Sequence, residues 1–170
     1  MTSLAALGPR SPEEINDTVQ VIEVVTLYGK AMDRRNWAAY RDVFEDQLDL
    51  KYPEWTGYGG QMDADTWVEN ARAGLIGFTG TQHDITTVTV EFSGDDRAIA
   101  DANLVARHIL TTGEDTEVLT LGGYYRFGLT KRDGRWRIQS LALTLLWDEG
   151  DRDLLQRAHA LAQAAAPPPS

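Results

Sequence analysis

The order of helical and strand patterns along the chain limits the possible folds more than any other feature of the sequence. Four long segments of alternating polarity, 81–92, 98–111, 117–130 and 135–147, occupy the second half of the chain. They are joined by turns rich in glycine and aspartate, which predicts an antiparallel meander. Because helical patterns precede these strands and do not alternate with them, the sequence predicts a segregated α+β fold.

A long first helix is predicted over about 12–35. Ser11 is a suitable N-cap, Pro12 fits the first turn, and Glu14 lies three residues after the cap. The recurrence of residues at helical spacing predicts one face that packs inward and ends in a carboxylate. That face consists of Ile15, Thr18, Ile22, Val25, Gly29, Met32 and Asp33.

The remaining elements complete a cone. Short helices are expected at 37–44 and 65–76, with a strand at 47–52 and a loop at 57–60 between them. A strongly twisted sheet that bends at the pair 122–123 is predicted to wrap around the first helix. The predicted fold class is therefore α+β, with a cone-shaped, curved, antiparallel or mixed sheet around a long N-terminal helix. The inside of the cone is the predicted pocket for a small molecule.

Length, charge and composition exclude several kinds of protein. The 170 residues fit one domain, predicted over 11–163 with tails at 1–10 and 164–170. The absence of cysteine excludes disulfides, thiolate metal sites and a cysteine nucleophile. A net charge of −10 disfavours nucleic acid and anionic membranes as partners. No secretory or membrane-spanning pattern occurs, so we expect a cytoplasmic protein.

Asp33 and His83 are the main candidates for chemistry. Asp33 lies on the predicted inward face, where a carboxylate needs a partner. We expect this partner to be a histidine; the alternative is that Asp33 binds Arg34, Arg35 or solvent. His83 begins the first long strand and is expected near the mouth of the pocket, on one face with Ile85, Thr87 and Thr89. An imidazole held by a carboxylate can take a proton from a carbon acid or hydroxyl and return it to a leaving group.

Other pocket residues follow from their positions. His108 ends a face of small side chains from Ala98 to Ala106, which is predicted to be a wall of the cavity; a satisfied core histidine is an equally good interpretation. Tyr28 and Tyr52 are potential donors to a carbonyl, or amphipathic core residues. His159 is expected to be solvated. The five tryptophans are assigned to the core, namely Trp37, Trp55, Trp67, Trp136 and Trp147.

No cofactor is expected. The sequence lacks the glycine motifs that bind dinucleotides and phosphates, and its histidines lack the spacing of a facial metal triad. A partner subunit is expected instead, because the last strand is apolar on both of its faces and its outer face needs a cover. The apolar residues of that strand are Leu141, Ala142, Leu143, Leu145 and Leu146.

Taken together, these residues resemble the SnoaL-like branch of the nuclear transport factor 2-like superfamily, in particular scytalone dehydratase and the bile-acid 7α-dehydratases. The resemblance covers most of the predicted domain. It is carried by the segments Asp33-Arg34-Arg35-Asn36-Trp37, Thr81-Gln82-His83, Arg107-His108, Asp133-Gly134-Arg135-Trp136 and Trp147-Asp148-Glu149-Gly150.

The resemblance implies roles for individual residues. Asp33 and His83 match the aspartate and histidine dyad that eliminates water beside a carbonyl. His108 is similar to the second pocket histidine of scytalone dehydratase, and Tyr52 to one of its two tyrosines. Tyr28 instead matches the helix tyrosine of the bile-acid enzymes.

Three departures from scytalone dehydratase imply a different substrate. Met32 stands in place of a tyrosine, and Gly123 and Tyr125 stand in place of a serine and an asparagine. Met32, the tryptophans and the alanine wall favour a larger, apolar ligand of polyketide or steroid type. The predicted substrate-binding residues are Tyr52, His108, Met32, Tyr125 and Trp55.

The predicted function is therefore a cofactor-independent dehydratase-type lyase. A dehydrochlorinase of the same family uses a similar pair to eliminate chloride, so the dyad implies proton abstraction more directly than it implies the leaving group. The alternatives are an isomerase or cyclase with the same dyad, and a non-catalytic binding subunit in which Asp33 and His83 do not touch. The resemblance also implies a homotrimer or dimer that is formed through the outer face of the sheet.

Overall fold

The computed structural model describes residues 10–52 and 57–165, which form an α+β domain. The elements of the described residues are, in chain order, α1 Pro12–Asp33, α2 Trp37–Asp42, β1 Phe44–Tyr52, β2 Tyr58–Asp63, α3 Ala64–Leu75, β3 Gly80–Phe92, β4 Arg97–Thr112, β5 Asp115–Arg132, β6 Arg135–Glu149 and α4 Leu154–Ala165.

The six strands form one mixed sheet in the order β2-β1-β6-β5-β4-β3. Strands β3 to β6 are the predicted antiparallel meander, whereas β1 runs parallel to β6. The register of β5 against β6 shifts between Gly122 and Gly123 and again between Gly128 and Leu129. Such bulges bend a strand and increase its twist, so the sheet is curved. The predicted fold class is confirmed.

Helix α1 packs against β3, β4 and β6 on a face that overlaps the predicted one only in part. Of the predicted residues, Val25, Gly29 and Met32 are buried, whereas Ile15 is 53% exposed. The other buried residues of the helix, which the prediction did not include, are Asp17, Val21, Tyr28 and Ala31. Apolar residues occur on several sides of this helix, so periodicity alone identified only part of the packed side. The helix ends at Asp33, two residues earlier than predicted, because Arg35 adopts a left-handed conformation with φ of 54°.

The side chain of Asp17 links α1 to strands β5 and β6 by hydrogen bonds. Its buried carboxylate accepts hydrogen bonds from Lys131 Nζ at 3.0 Å and from Trp136 Nε1 at 3.1 Å. Burial alone would raise the pKa of Asp17, but these two donors and the lysine charge hold it below its ordinary value. This carboxylate fixes the first half of α1 over β5 and β6.

The prediction of a loop at 57–60 is wrong, because the edge strand β2 begins at Tyr58. Gly59 and Gly60 pair with Lys51 and Leu50 of β1. Glycine and polar residues give no strand periodicity, so only the pairing partner reveals the strand. Helix α2 also ends at Asp42, and β1 begins two residues later.

Trp147 is not a core residue, contrary to the prediction. It is 45% exposed and lies against Gly122, where a Cβ atom would be 2.0 Å from the indole ring. Leu146 beside it is 56% exposed, so this outer face is apolar in the single chain. The homo-oligomer stays a prediction. Trp67 and Trp136 are buried, Trp37 is half-buried, and Trp55 lies outside the described residues.

Helix α4 folds back onto α3 and β5. Leu154 and Ala158 are buried, and the chain at Gly77 approaches α4 so closely that a Cβ atom there would be 1.9 Å from the carbonyl oxygen of Ala158. The helix continues to Ala165, two residues past the predicted end of the domain. Among residues 10–52 and 57–165, none of the helices has the length and apolarity needed to cross a membrane.

Candidate active site

Asp33 and His83 are in direct contact. The two side chains meet through Asp33 Oδ1 and His83 Nδ1, which are 2.7 Å apart. The same carboxylate accepts hydrogen bonds from the backbone N–H of His83 at 2.8 Å and from Thr81 Oγ1 at 3.0 Å. The alternative pairing with the following arginines is not the arrangement adopted. The contact predicted between Asp33 and His83 is therefore present, and its catalytic role stays a prediction.

The end of α1 and the free edge of the sheet create this contact. Strand β3 is an edge strand, so part of its backbone N–H groups point away from the sheet and need an acceptor. Asp33, the last residue of α1, accepts one of them and is thereby held beside the imidazole. Gly29, one turn earlier, allows the helix to approach, since a Cβ atom there would lie 3.0 Å from Ile85 Cδ1 and 3.4 Å from His83 Cβ.

The hydrogen bonds around Asp33 define the form of the imidazole. Burial raises the pKa of Asp33, but the hydrogen bonds and charge of His83 and the hydroxyl of Thr81 outweigh it, so the pKa lies below its ordinary value. The ionised carboxylate can only accept, so Nδ1 of His83 must donate. Neutral His83 then carries its lone pair on Nε2, the nitrogen available to the cavity. The His83 side chain is only 6% exposed.

His108 lies beside this pair as a neutral group. Its ring centroid is 5.7 Å from that of His83 in an edge-on arrangement and 5.2 Å from that of Phe78. Burial, helped by the charge of His83, lowers the pKa of His108 to about 4. At neutral pH His108 therefore adds a polar, uncharged surface next to His83.

Four tyrosines of the cavity lining form a second cluster of side chains. The hydroxyl groups of Tyr28 and Tyr52 are 3.1 Å apart and buried. Tyr28 also packs against Tyr40 and Tyr125, with centroid distances of 5.3 and 5.5 Å. Burial is the main cause that raises the pKa of all four phenols. They remain protonated at neutral pH and can donate hydrogen bonds.

The histidines and the tyrosines face one cavity of about 340 Å³. A volume of this order is typical of sites for small organic ligands. Most predicted site residues line it, whereas Asp33 lies behind His83 and Trp55 falls outside the described residues. The predicted residues in the lining are Tyr28, Met32, Tyr52, His83, His108 and Tyr125.

Two details of the predicted pocket are wrong. The face of His83 does not continue to Thr87 and Thr89, because the register of β3 against β4 shifts between Thr86 and Thr89 and Thr87 has φ of 53°. The buried face of β4 contains the predicted small residues, but only its end, Leu104 to His108, lines the cavity. The earlier alanines of that face belong to the core beyond it.

Sequence reasoning missed several lining residues. Helix α2 brings Tyr40, α3 brings Trp67 and Asn70, and α4 brings Leu155 and His159. The apolar spacing of Trp67 with Ala64 and Ala71 could have indicated the inner face of α3. His159 is exposed, as expected, but it lies at the cavity instead of being a distant surface residue. Its position depends on how α4 folds back, for which the sequence carries no local signal.

Metal ligands are not clustered in the part of the chain that the structure describes. Within it, no three residues among histidine, aspartate and glutamate lie close enough together to hold a metal ion. Among the described side chains that line the cavity, His83 is able to transfer a proton and the neutral phenols are able to donate hydrogen bonds.

Comparisons with known proteins agree with this architecture. The SnoaL-like domain model matches residues 13–142. Dehydratase cfoI from Aspergillus candidus is 23% identical over 162 residues, which cover 86% of this chain and 94% of that protein. The crystal structure of the Kfla4162 protein from Kribbella flavida superposes with a TM-score of 0.76 at 25% identity, covering 84% of this chain and 98% of the other. A scytalone dehydratase-like protein from Novosphingobium aromaticivorans gives a TM-score of 0.70 at 18% identity, with coverages of 82% and 91%.

Proposed function

The chain belongs to the SnoaL-like domain family, and on this premise we propose that it is a cofactor-independent lyase of the dehydratase type. The substrate is a small, largely apolar cyclic ketone of polyketide or steroid type with a hydroxyl group β to the carbonyl. The observation that carries the proposal is the 2.7 Å contact between Asp33 and His83 at the cavity. The dehydratase among the relatives supports the reaction class.

The proposed reaction needs one base and one donor. His83 Nε2 removes the proton on the carbon next to the carbonyl, and that electron pair forms the carbon–carbon double bond as the bond to the hydroxyl oxygen breaks. The imidazolium then gives the same proton to the departing hydroxyl, which leaves as water. Asp33 keeps Nδ1 protonated and stabilises the imidazolium. The balance is one substrate to one enone and one water, and His83 returns to its neutral form.

Tyr28 or Tyr52 is proposed to polarise the carbonyl. Negative charge develops on the carbonyl oxygen as the proton leaves, and a fixed hydrogen-bond donor in a buried site stabilises that charge. The two hydroxyls are already 3.1 Å apart and sit on a rigid helix and strand. Because burial keeps both phenols protonated, each is a donor and not a competing base.

The 2.7 Å contact also bears on the rival functions. A non-catalytic binding subunit has no need to orient an imidazole with a buried carboxylate, and the observed contact counts against it. An isomerase or cyclase uses the same first proton transfer but loses no water. Product mass separates these reactions, since only elimination removes the mass of one water.

The test follows proton transfer and water loss separately. α-Tetralone in D₂O reports exchange of the proton next to its carbonyl, and its β-hydroxy derivative reports elimination to α-naphthol. We expect His83→Gln to lower both rates by about 10²- to 10⁴-fold, and Asp33→Asn to lower them in the same range. The matched control is Asp101→Asn, which removes an aspartate that pairs with Arg126 on the surface.

The outcomes are distinct. Exchange without water loss in the wild type favours the isomerase or cyclase. A wild-type protein that binds these ketones, and larger steroidal ones, without exchanging or eliminating contradicts the lyase. Unchanged rates in a folded His83→Gln protein would show that His83 is not the base, and loss of near-ultraviolet circular dichroism identifies variants that merely unfold.

A further inference from the structure

Thr81 shares the carboxylate of Asp33 with His83. The Thr81 hydroxyl lies 3.0 Å from Asp33 Oδ1, the same oxygen that lies 2.7 Å from His83 Nδ1. The other carboxylate oxygen, Oδ2, accepts a hydrogen bond from the backbone N–H of His83 at 2.8 Å. An ionised carboxylate can only accept, so the hydroxyl of Thr81 must donate. Two donors from β3 therefore meet at the oxygen that faces the imidazole.

The geometry of β3 brings the hydroxyl to this oxygen. Thr81 and His83 are two positions apart on the strand, so their side chains point to the same face. That face packs against α1, which ends at Asp33. Because threonine is branched at Cβ, its side chain has little rotational freedom. The hydroxyl is thus held in place on the carboxylate by the strand itself.

The second donor makes Oδ1 a weaker proton acceptor. Burial raises the pKa of Asp33, but the hydrogen bonds and charge of His83 and the hydroxyl of Thr81 hold it below its ordinary value. Hydrogen bonds to the ionised form of a carboxyl group favour that form. Without the hydroxyl, Oδ1 would attract the Nδ1 proton of the imidazolium more strongly.

The position of the Nδ1 proton decides whether His83 can return the proton that it has taken. In the proposed reaction the imidazolium gives its Nε2 proton to the departing hydroxyl. If the Nδ1 proton moved to Asp33, His83 would be a neutral imidazole with its proton on Nε2. A neutral imidazole is a far weaker acid than an imidazolium, so the leaving group would receive its proton more slowly.

We propose that Thr81 is a positioning residue that acts through Asp33 to keep the Nδ1 proton on His83. The inference rests on the proposed function for the step that uses this proton, whereas the contact between Thr81 and Asp33 needs no substrate. Besides His83, the titratable groups whose charges couple to Asp33 are His108 of β4 and Tyr125 of β5. Burial keeps both of them uncharged at neutral pH.

The kinetic experiment replaces the hydroxyl by a methyl group. Thr81→Val keeps the branched shape and removes the donor, whereas Thr81→Ser keeps the donor. With the β-hydroxy derivative of α-tetralone, Thr81→Val is expected to lower kcat by about tenfold to a hundredfold, the effect of one hydrogen bond to a charged group. KM should change by less than about twofold, because Thr81 acts through Asp33 and not on the substrate. Thr81→Ser should keep kcat within about threefold of the wild type.

The matched control makes the same change elsewhere on β3. Thr89→Val replaces an exposed threonine of this strand and should leave kcat and KM unchanged. Near-ultraviolet circular dichroism identifies a variant that does not fold, and Thr81→Ser then still reports whether a hydroxyl at this position sustains kcat.

The ligand-free protein gives a second measurement that needs no activity. Carbon-13 NMR follows the ionisation of the Asp33 carboxyl, whose signal is identified by its absence in Asp33→Asn. Thr81→Val should raise the pKa of Asp33, because its ionised form loses a donor, and Thr81→Ser should keep it near the wild-type value. Repetition in a His108→Gln background removes the titration of His108 from the comparison.

The outcomes separate this inference from the proposed function. A wild-type titration of Asp33 or a wild-type kcat in folded Thr81→Val would overturn the inference, since the hydroxyl would then only join β3 to α1. Equal losses of kcat in Thr81→Val and Thr81→Ser would also refute it, because the loss would not follow the donor. If the wild type neither exchanges nor eliminates, but the pKa of Asp33 rises in Thr81→Val alone, the proposed reaction fails and the action of Thr81 on Asp33 stands.

Discussion

Protonation of His108 is predicted to destabilise the fold in mildly acidic solution. Burial, and secondarily the charge of His83, lowers the pKa of His108 from 6.5 to about 4. In the unfolded chain the group titrates near its ordinary pKa. Between the two values the unfolded chain binds more protons than the folded protein, so stability rises with pH across this interval. The loss of stability is complete near the folded-state pKa of His108 and is absent above its ordinary pKa.

The magnitude follows from the two pKa values. Their difference corresponds to about 3 kcal/mol, of which about 2 kcal/mol is lost between about pH 7 and pH 5. The buried carboxylates affect stability only at lower pH. Asp17 and Asp33 have lowered pKa values, so their contributions to the free energy of unfolding are fully present above the ordinary carboxyl pKa. These contributions are lost as the pH falls through the folded-state pKa values. The loss from pH 7 to pH 5 is therefore assigned mainly to His108.

The assay is urea unfolding at several pH values, followed by tryptophan fluorescence, for the wild type and His108→Gln. Glutamine is polar but does not titrate, so the variant should lack about 2 kcal/mol of the wild-type decrease from pH 7 to pH 5. The variant is expected to be less stable than the wild type at pH 7, because packing around Phe78 is lost. Parallel decreases in the two proteins would refute the reasoning, since the titrating group would then lie elsewhere.

Two further perturbations test the packing that supports the site. Asp17→Asn should lower the free energy of unfolding at neutral pH by about 2 kcal/mol, because Lys131 and Trp136 lose a buried carboxylate acceptor. The difference in stability between the two proteins should shrink as pH falls below the ordinary carboxyl pKa. Equal urea midpoints for the two proteins at neutral pH would contradict this prediction. Gly77→Ala should displace α4, because the added Cβ would lie 1.9 Å from the oxygen of Ala158. Hydrogen exchange should then accelerate in α4 and not in β5, and unchanged exchange in α4 would show that the loop absorbs the methyl group.

The meander could be predicted because alternation and turns are local signals. Its four strands begin and end within two residues of the predicted positions. Strand β2 could not be predicted and the packed side of α1 could be predicted only in part, since both depend on a distant partner. Gly59 and Gly60 become strand residues only by pairing with β1, and Tyr28 turns inward because it packs against Tyr125 and Phe127 of β5.

The part of the candidate site that lies on α1 and on the meander could be predicted from the sequence. Asp33 closes a helical face and His83 opens a strand, so their proximity followed once the sheet was placed around the helix. The position of Tyr40 in the cavity lining does not follow from spacing, because it depends on how α2 packs against α1. His159 reaches the cavity only through the return of α4, which is a tertiary contact.

The cavity presents two chemically different groups of side chains, and we propose that this difference orients a substrate. The Asp33 carboxylate fixes Nδ1 of His83 as a donor, so the lone pair of neutral His83 is on Nε2, and the lowered pKa of His108 prevents a competing positive charge beside it. Burial keeps the phenols of the tyrosine cluster protonated, so they donate and do not accept protons. In the proposed reaction, a ketone whose oxygen is at the Tyr28 and Tyr52 hydroxyls presents its acidic carbon–hydrogen bond to His83, whereas the reverse orientation brings its oxygen to the Nε2 lone pair. We therefore expect Tyr28→Phe and Tyr52→Phe to raise KM and lower kcat together, because misoriented substrate is bound but not deprotonated.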